Sequence, residues 1–144
     1  MPKISQGFKF FAHPADAKFQ AYGGNLEEAF QNAAYALASL MWDRDRVRPK
    51  MGYPVAVEAR DLKQLLVSFL EEVLYLLDSR GFLLHSVDEL TIRREGDRFL
   101  LRSRFYGDHF AEGLETFGDV KAITYHDMLI KTDGQAMVQV VVDV

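Results

Sequence analysis

Two aspartates stand in places where strand-like sequence gives them no packing role. Asp16 closes the run His13-Pro14-Ala15-Asp16 inside "FKFFAHPADAKFQAYGG", and Asp143 sits next to last in "MVQVVVDV". Strand alternation turns Asp143 the same way as Val141 and Gln139, opposite the row Val140, Val142 and Val144. A solvated strand face explains such an aspartate without further chemistry. A second explanation rests on the neighbour, Val144, whose terminal carboxylate is another hard-oxygen donor. Joined by Asp16 from another strand, the set Asp16, Asp143 and Val144 suits calcium, magnesium or manganese rather than zinc. Three close carboxylates repel one another unless a cation sits among them.

Other residues open fewer routes. Lys121, in "DVKAITYHDM", begins an otherwise apolar strand and reads either as a charge that blunts a sheet edge or as a contact for an anion. Asp43, in "LMWDRD", closes the first helix at the negative end of its dipole, an unfavourable place unless a cation lies nearby. The four histidines, His13, His85, His109 and His126, lack metal-ligand spacing. His13 and His126 lie beside polar strand ends, and His13 is close enough in sequence to Asp16 to support a site there. No serine lies in a nucleophile elbow, and no phosphate-binding glycine loop is present. Gly23-Gly24 precedes a helix, but Glu27 and Glu28 make that end acidic, which favours a plain turn over an anion site.

The bulk properties narrow the class. A chain of 144 residues, 49% hydrophobic and 26% charged, has the balance of one globular domain, residues 1–144. There is no cysteine, which removes disulfides, thiolate metal sites and cysteine nucleophiles. The net charge of −4 argues against direct nucleic-acid binding. No apolar run approaches the roughly 20 residues of a membrane span, and no signal peptide is visible. A cytoplasmic protein without a membrane partner is the expectation.

The elements that must position these residues can be read from period and punctuation. Phe8 to Tyr22 reads as one or two strands bent at Pro14, ended by Gly23-Gly24. "NLEEAFQNAAYALASLM" is a helix with Asn25 and Glu28 as its capping pair and an alanine-rich buried face. "YPVAVEA" is a strand. Asp61 then caps a second helix that Gly81 stops, with Leu62, Leu65, Leu66, Phe69, Leu70, Val73, Leu76 and Leu77 on its apolar face. "ELTIRRE" and "RFLLRSRFY" form a hairpin about Gly96-Asp97, and Asp133-Gly134 turns a second hairpin near the end. The expected class is α+β, two-layer, with a largely antiparallel sheet packed against two main helices.

Taken in order, "HPAD", "NLEEAFQNAAYALASLMWD", "LLVSFLEEVLYLLD", "GDVKAITYHDM" and "VVVDV" resemble the archease family from His13 to Val144. The resemblance implies a non-enzymatic protein cofactor of the tRNA-splicing RNA ligase, the GTP-dependent enzyme of tRNA splicing and RNA repair. Such a cofactor promotes guanylylation of the ligase histidine and sustains multiple turnover. The resemblance also implies a modulator or chaperone role toward a tRNA cytosine methyltransferase. It implies a metal site, with calcium foremost, at Asp16, Asp143 and Val144, and ligase activation through Lys121 and Asp43. Two departures stand out: Pro14 replaces the family's threonine, and Gly113-Leu114-Glu115 replaces its Arg-His-Glu. The reading from another class is a metal-dependent hydrolase using the same aspartates, which would need a general base and a concave pocket.

Overall fold

The computed structural model describes residues 7–12, 16–111 and 114–144. Among them run seven strands and two α-helices: β1 Phe8–Phe11, β2 Asp16–Gly23, α1 Leu26–Ser39, β3 Met51–Ala59, α2 Leu62–Arg80, β4 Phe82–Glu95, β5 Arg98–His109, β6 Ala122–Lys131 and β7 Ala136–Asp143. A 3₁₀ turn, Arg44–Arg46, follows α1. The class is α+β and every strand pairing is antiparallel, with the strands divided between two sheets. One sheet has the order β1-β2-β7-β6 and the other β3-β5-β4.

Both helix starts follow from their caps. The Asn25 side chain accepts the Glu28 N–H at 2.8 Å, while the Glu28 carboxylate accepts the Gly24 N–H at 3.0 Å. Asp61 accepts the Gln64 N–H at 2.8 Å at the head of α2. At its other end Gly81 takes φ +62°, and its N–H returns to Leu77 O, so a residue with a β-carbon would be strained there.

The core is continuous from α1 to both sheets. Ala29, Ala33, Ala34, Ala36 and Ala38 are buried on α1, and these small residues let the helix lie close to β2 and β7. Phe30 meets Phe69 of α2 at 6.0 Å between ring centroids, and Phe69 meets Phe105 of β5 edge-on at 5.6 Å. Full burial of such side chains contributes about 1.5–3 kcal/mol each. Trp42, just past α1, is buried and donates its indole N–H to Leu84 O at 3.0 Å, tying that loop to β4.

Replacing Asp61 by alanine leaves the Gln64 N–H without its acceptor. Chemical denaturation should show Asp61→Ala less stable by about 1 kcal/mol, with Asp61→Asn recovering most of the loss.

Candidate functional site

β7 is a central strand, paired with β2 on one side and β6 on the other. Its register against β2 is Asp16↔Asp143, Ala17↔Val142, Lys18↔Val141, Phe19↔Val140 and Gln20↔Gln139. The core-facing set Phe19, Ala21, Val138, Val140 and Val142 is fully buried. Its counterpart on the other face is pinned by a hydrogen bond from Gln20 Nε2 to Gln139 Oε1 at 2.8 Å. Alternation along both strands therefore puts Asp16 and Asp143 on that second face, directly across from each other. Directly opposed β-carbons lie about 4.5–5.5 Å apart, where like charges are destabilising.

The start of β6 completes this corner. Ala122 pairs with Asp143, and the Lys121 N–H donates to Asp143 O at 2.7 Å. Lys121 and Asp143 are both exposed, and Val144 is 45% exposed. Further along, β6 slips its register between Thr124 and Leu129, and Asp127 adopts φ +52°. Gln139 Nε2 donates to Asp127 O at 2.7 Å, and Lys18 Nζ lies 4.0 Å from Asp127 Oδ2. Among the described residues no three His, Asp or Glu side chains come together as a metal cage. The corner brings two side-chain carboxylates together, and carboxylate oxygens are the hard donors that calcium, magnesium and manganese take.

Asp43 sits differently from the sequence expectation. Helix α1 ends at Ser39, and Asp43 is the N-cap of the 3₁₀ turn, accepting the Asp45 N–H at 3.1 Å. The carboxylate therefore lies at the start of a turn, where a negative charge is favourable, and needs no cation to explain it. Its neighbour Arg44 holds the turn in place. Arg44 Nε donates to His85 O at 3.0 Å, and its guanidinium lies 3.6 Å from the Tyr35 ring centroid. Burial lowers the Arg44 pKa while nearby Tyr35 and Asp45 oppose that shift.

Asp43 opens onto two shallow grooves that share Phe117. One, of about 590 Å³, is lined by Phe8, Trp42, Arg44 and Phe117, and the other, of about 420 Å³, by Arg46, Leu114, Glu115 and Phe117. The Phe117 N–H donates to Met41 O at 2.9 Å, and Gly118 passes so close to Leu40 O that a β-carbon would stand 2.2 Å from it. Four residues later the same segment delivers Lys121 to Asp143. At most about 14 Å of extended chain thus separates the Asp43 loop from the aspartate pair.

The remaining assignments divide. His13 and Pro14 lie outside the described residues, as does Gly113. His126 is exposed with Nε2 3.6 Å from Asp127 Oδ2, and His109 lies 3.5 Å from the Tyr53 hydroxyl. Alternation placed Gln139 on the face of Asp143 without its bond to Gln20, and Asp127 and Phe117 were not singled out. Paired glutamines at positions 20 and 139 of facing strands were the signal for that bond.

Comparison with known proteins then decides the lineage. The Archease protein family (MTH1598/TM1083) matches residues 8–144. The chain belongs to the archease family. Protein archease of Pyrococcus furiosus is 39% identical over 140 residues, covering 95% of this chain and 98% of that one. Protein archease of Methanothermobacter thermautotrophicus is 36% identical over 139 residues, covering 96% and 99%. Among archease-like structures, the solution structure of Methanobacterium thermoautotrophicum protein 1598 superposes with a TM-score of 0.82 at 33% identity, covering 96% of this chain and 99% of that one. The crystal structure from Thermotoga maritima, described as an archease and possible chaperone, gives 0.58 at 19% identity over 93% and 94% of the two chains, a likeness of fold alone.

The opposed pair makes a direct prediction. In chelator and at low salt, Asp143→Asn should raise stability by about 0.2–1 kcal/mol, because one of two like charges is gone. Thermal unfolding would show it, and high salt should shrink the difference.

Proposed function

We propose that this archease-family protein is a non-catalytic activator of the tRNA-splicing RNA ligase, working from a divalent-cation site at Asp16, Asp143 and Val144. The observation that supports it most is the β2–β7 register, which sets Asp16 across from Asp143 beside Lys121. Two carboxylates set across neighbouring strands repel each other, and a divalent cation between them would offset that repulsion. Calcium is the first candidate for that ligand, with magnesium and manganese as alternatives. Asp16 and Asp143 would hold the ion, whose charge would offset their mutual repulsion.

In this reading the chain's own residues do the rest. The Lys121 backbone N–H anchors the start of β6 on Asp143 O, which leaves the exposed ammonium free to meet an anion of the partner. Asp43, held by its turn, faces the grooves beside the exposed ring of Phe117, 70% accessible. The two features are joined by residues 117–121, so a partner gripping one feels the order of the other. The finer roles belong to the same proposal: promotion of ligase guanylylation, repeated turnover, and service to a tRNA methyltransferase. The hydrolase alternative would need a general base beside the pair.

Two variants separate the parts of this account. Calcium at 100 times its dissociation constant should stabilise the protein by about 2.7 kcal/mol, and Asp143→Asn should remove that gain. The same variant should fail to stimulate guanylylation of the ligase.

Lys121→Gln should keep the calcium-dependent stabilisation and lose the stimulation, with the dose response of guanylylation shifted by about tenfold or more, as for a charge-assisted contact. Full stimulation by both variants would return Asp143 and Lys121 to ordinary surface roles. Calcium-dependent hydrolysis of a phosphoester by the protein alone would favour the hydrolase.

A further inference from the structure

The second sheet, β3-β5-β4, buries one face and exposes the other. Val55, Ala59, Val87, Leu101, Ser103 and Phe105 point inward. Alternation puts Arg102, Arg104 and Tyr106 of β5 outward, opposite Ala56, Pro54 and Gly52 of the edge strand β3. Across the other border Arg93 of β4 opposes Leu100, Thr91 opposes Arg102, and Asp88 opposes Arg104. Arg102 and Arg104, two residues apart on one strand, are separated by about 6.7 Å, and Arg93 is a diagonal neighbour of Arg102 at about 7–8 Å.

Three exposed arginines thus form one cluster on an acidic protein. Among the described residues none of the three is in an ion pair. Glu58, on the same face, lies 3.5 Å from Arg98, so its charge is already matched. Asp88, Glu95 and Asp108 also take outward register positions; Glu95 stands across from Arg98, Asp108 lies 4.0 Å from Lys50 Nζ, and Arg104 leans toward Gly52 of β3 rather than toward Asp88. A β-carbon on Gly52 would stand 3.1 Å from Arg104 Nε and 2.9 Å from Tyr106 Cε1. Without one, the guanidinium and the phenol ring lie side by side over the edge strand, with the Arg104 Cζ 5.9 Å from the ring centroid.

We infer that this outer face of the second sheet binds the phosphate backbone of single-stranded RNA. The inference stands apart from the ligase reading and does not need it. Arginine forks match phosphate oxygens two at a time, and the face carries arginine rather than lysine. The flat Arg104–Tyr106 surface suits the stacking of an unpaired base, a contact that an acidic peptide would not use. Small residues on β3 (Gly52, Pro54 and Ala56) leave the approach open, and a depression of about 260 Å³ lies beside Ala56, Glu58, Leu100 and Arg102. The net charge of −4 conceals this because most of the 21 acidic residues lie off this face.

The test is fluorescence anisotropy of a labelled oligouridine titrated with the protein alone. Wild type should bind at low salt, and the logarithm of affinity should fall against the logarithm of salt with a slope of about −2, as for three phosphate contacts on a single strand. Replacing Arg93, Arg102 and Arg104 together by glutamine should weaken binding by about tenfold or more at low salt and flatten the slope. All three side chains are exposed, and circular dichroism would verify that the variant is folded. No binding by wild type, equal binding by the triple variant, or displacement of the RNA by an oligoglutamate peptide at matched charge would each overturn the inference.

Discussion

Everything at the candidate site depends on the register of β7 between its neighbours. Side chains in a strand alternate with a period of two, so a slip of one residue would exchange the two faces. Here the exchange would drive Gln20, Lys18 and Asp143 into a core made of Phe19, Val140 and Val142, all of which are fully buried. The cost of that swap holds Asp16 opposite Asp143. The outer face adds its own lock: Tyr22 donates to Gln20, Gln20 to Gln139, and Gln139 to the Asp127 carbonyl, at 2.6, 2.8 and 2.7 Å. That chain of hydrogen bonds crosses three strands and fixes the irregular part of β6 along with the register.

A second constraint ties the loop after α1 to this corner. Trp42 and Arg44 are fastened to consecutive carbonyls of β4, Leu84 and His85. Phe117 is fastened to Met41, and Lys121 to Asp143. Asp43 and Lys121 therefore belong to one connected surface although 78 positions separate them in the chain (121 − 43). The carboxylate pair, the lysine and the Phe117 grooves lie on the first sheet and its connections. The arginine cluster lies on the second sheet. The molecule thus presents two distinct surfaces, one with the opposed aspartates beside Lys121 and one with the arginine cluster.

Local signals in the sequence carried well into the structure. Asn25 and Asp61 cap the helices, Gly81 ends α2 in the left-handed region, and Gly96 and Gly134 turn the hairpins at φ +63° and +64°. These features depend on neighbours within a few residues. The first half of β4, Phe82–Asp88, lacks alternation because Phe82, Leu83 and Leu84 are all buried, and it was not read as a strand. Division of the strands into two sheets was equally hidden, since pairing between distant strands leaves no local trace. Asp43 was misplaced because α1 stops at Ser39 and a short 3₁₀ turn follows, a shift that helical spacing alone does not announce. That Asp16 meets Asp143 rested on position and on the family resemblance, and the register supplies the geometry that neither contains. The roles of Asp16, Asp143, Val144, Lys121 and Asp43 in metal binding and activation remain the proposal made above.

The central claim is that the β2–β7 corner is a divalent-cation site. Paramagnetic broadening of backbone amide resonances by substoichiometric manganese tests it without any partner protein. The account predicts that the amides of Asp16, Ala17, Lys121, Ala122 and Asp143 fade first and recover when excess calcium is added. Selective broadening at another acidic patch, such as Glu71 and Glu72 on α2, with the β2–β7 corner unaffected, would contradict it.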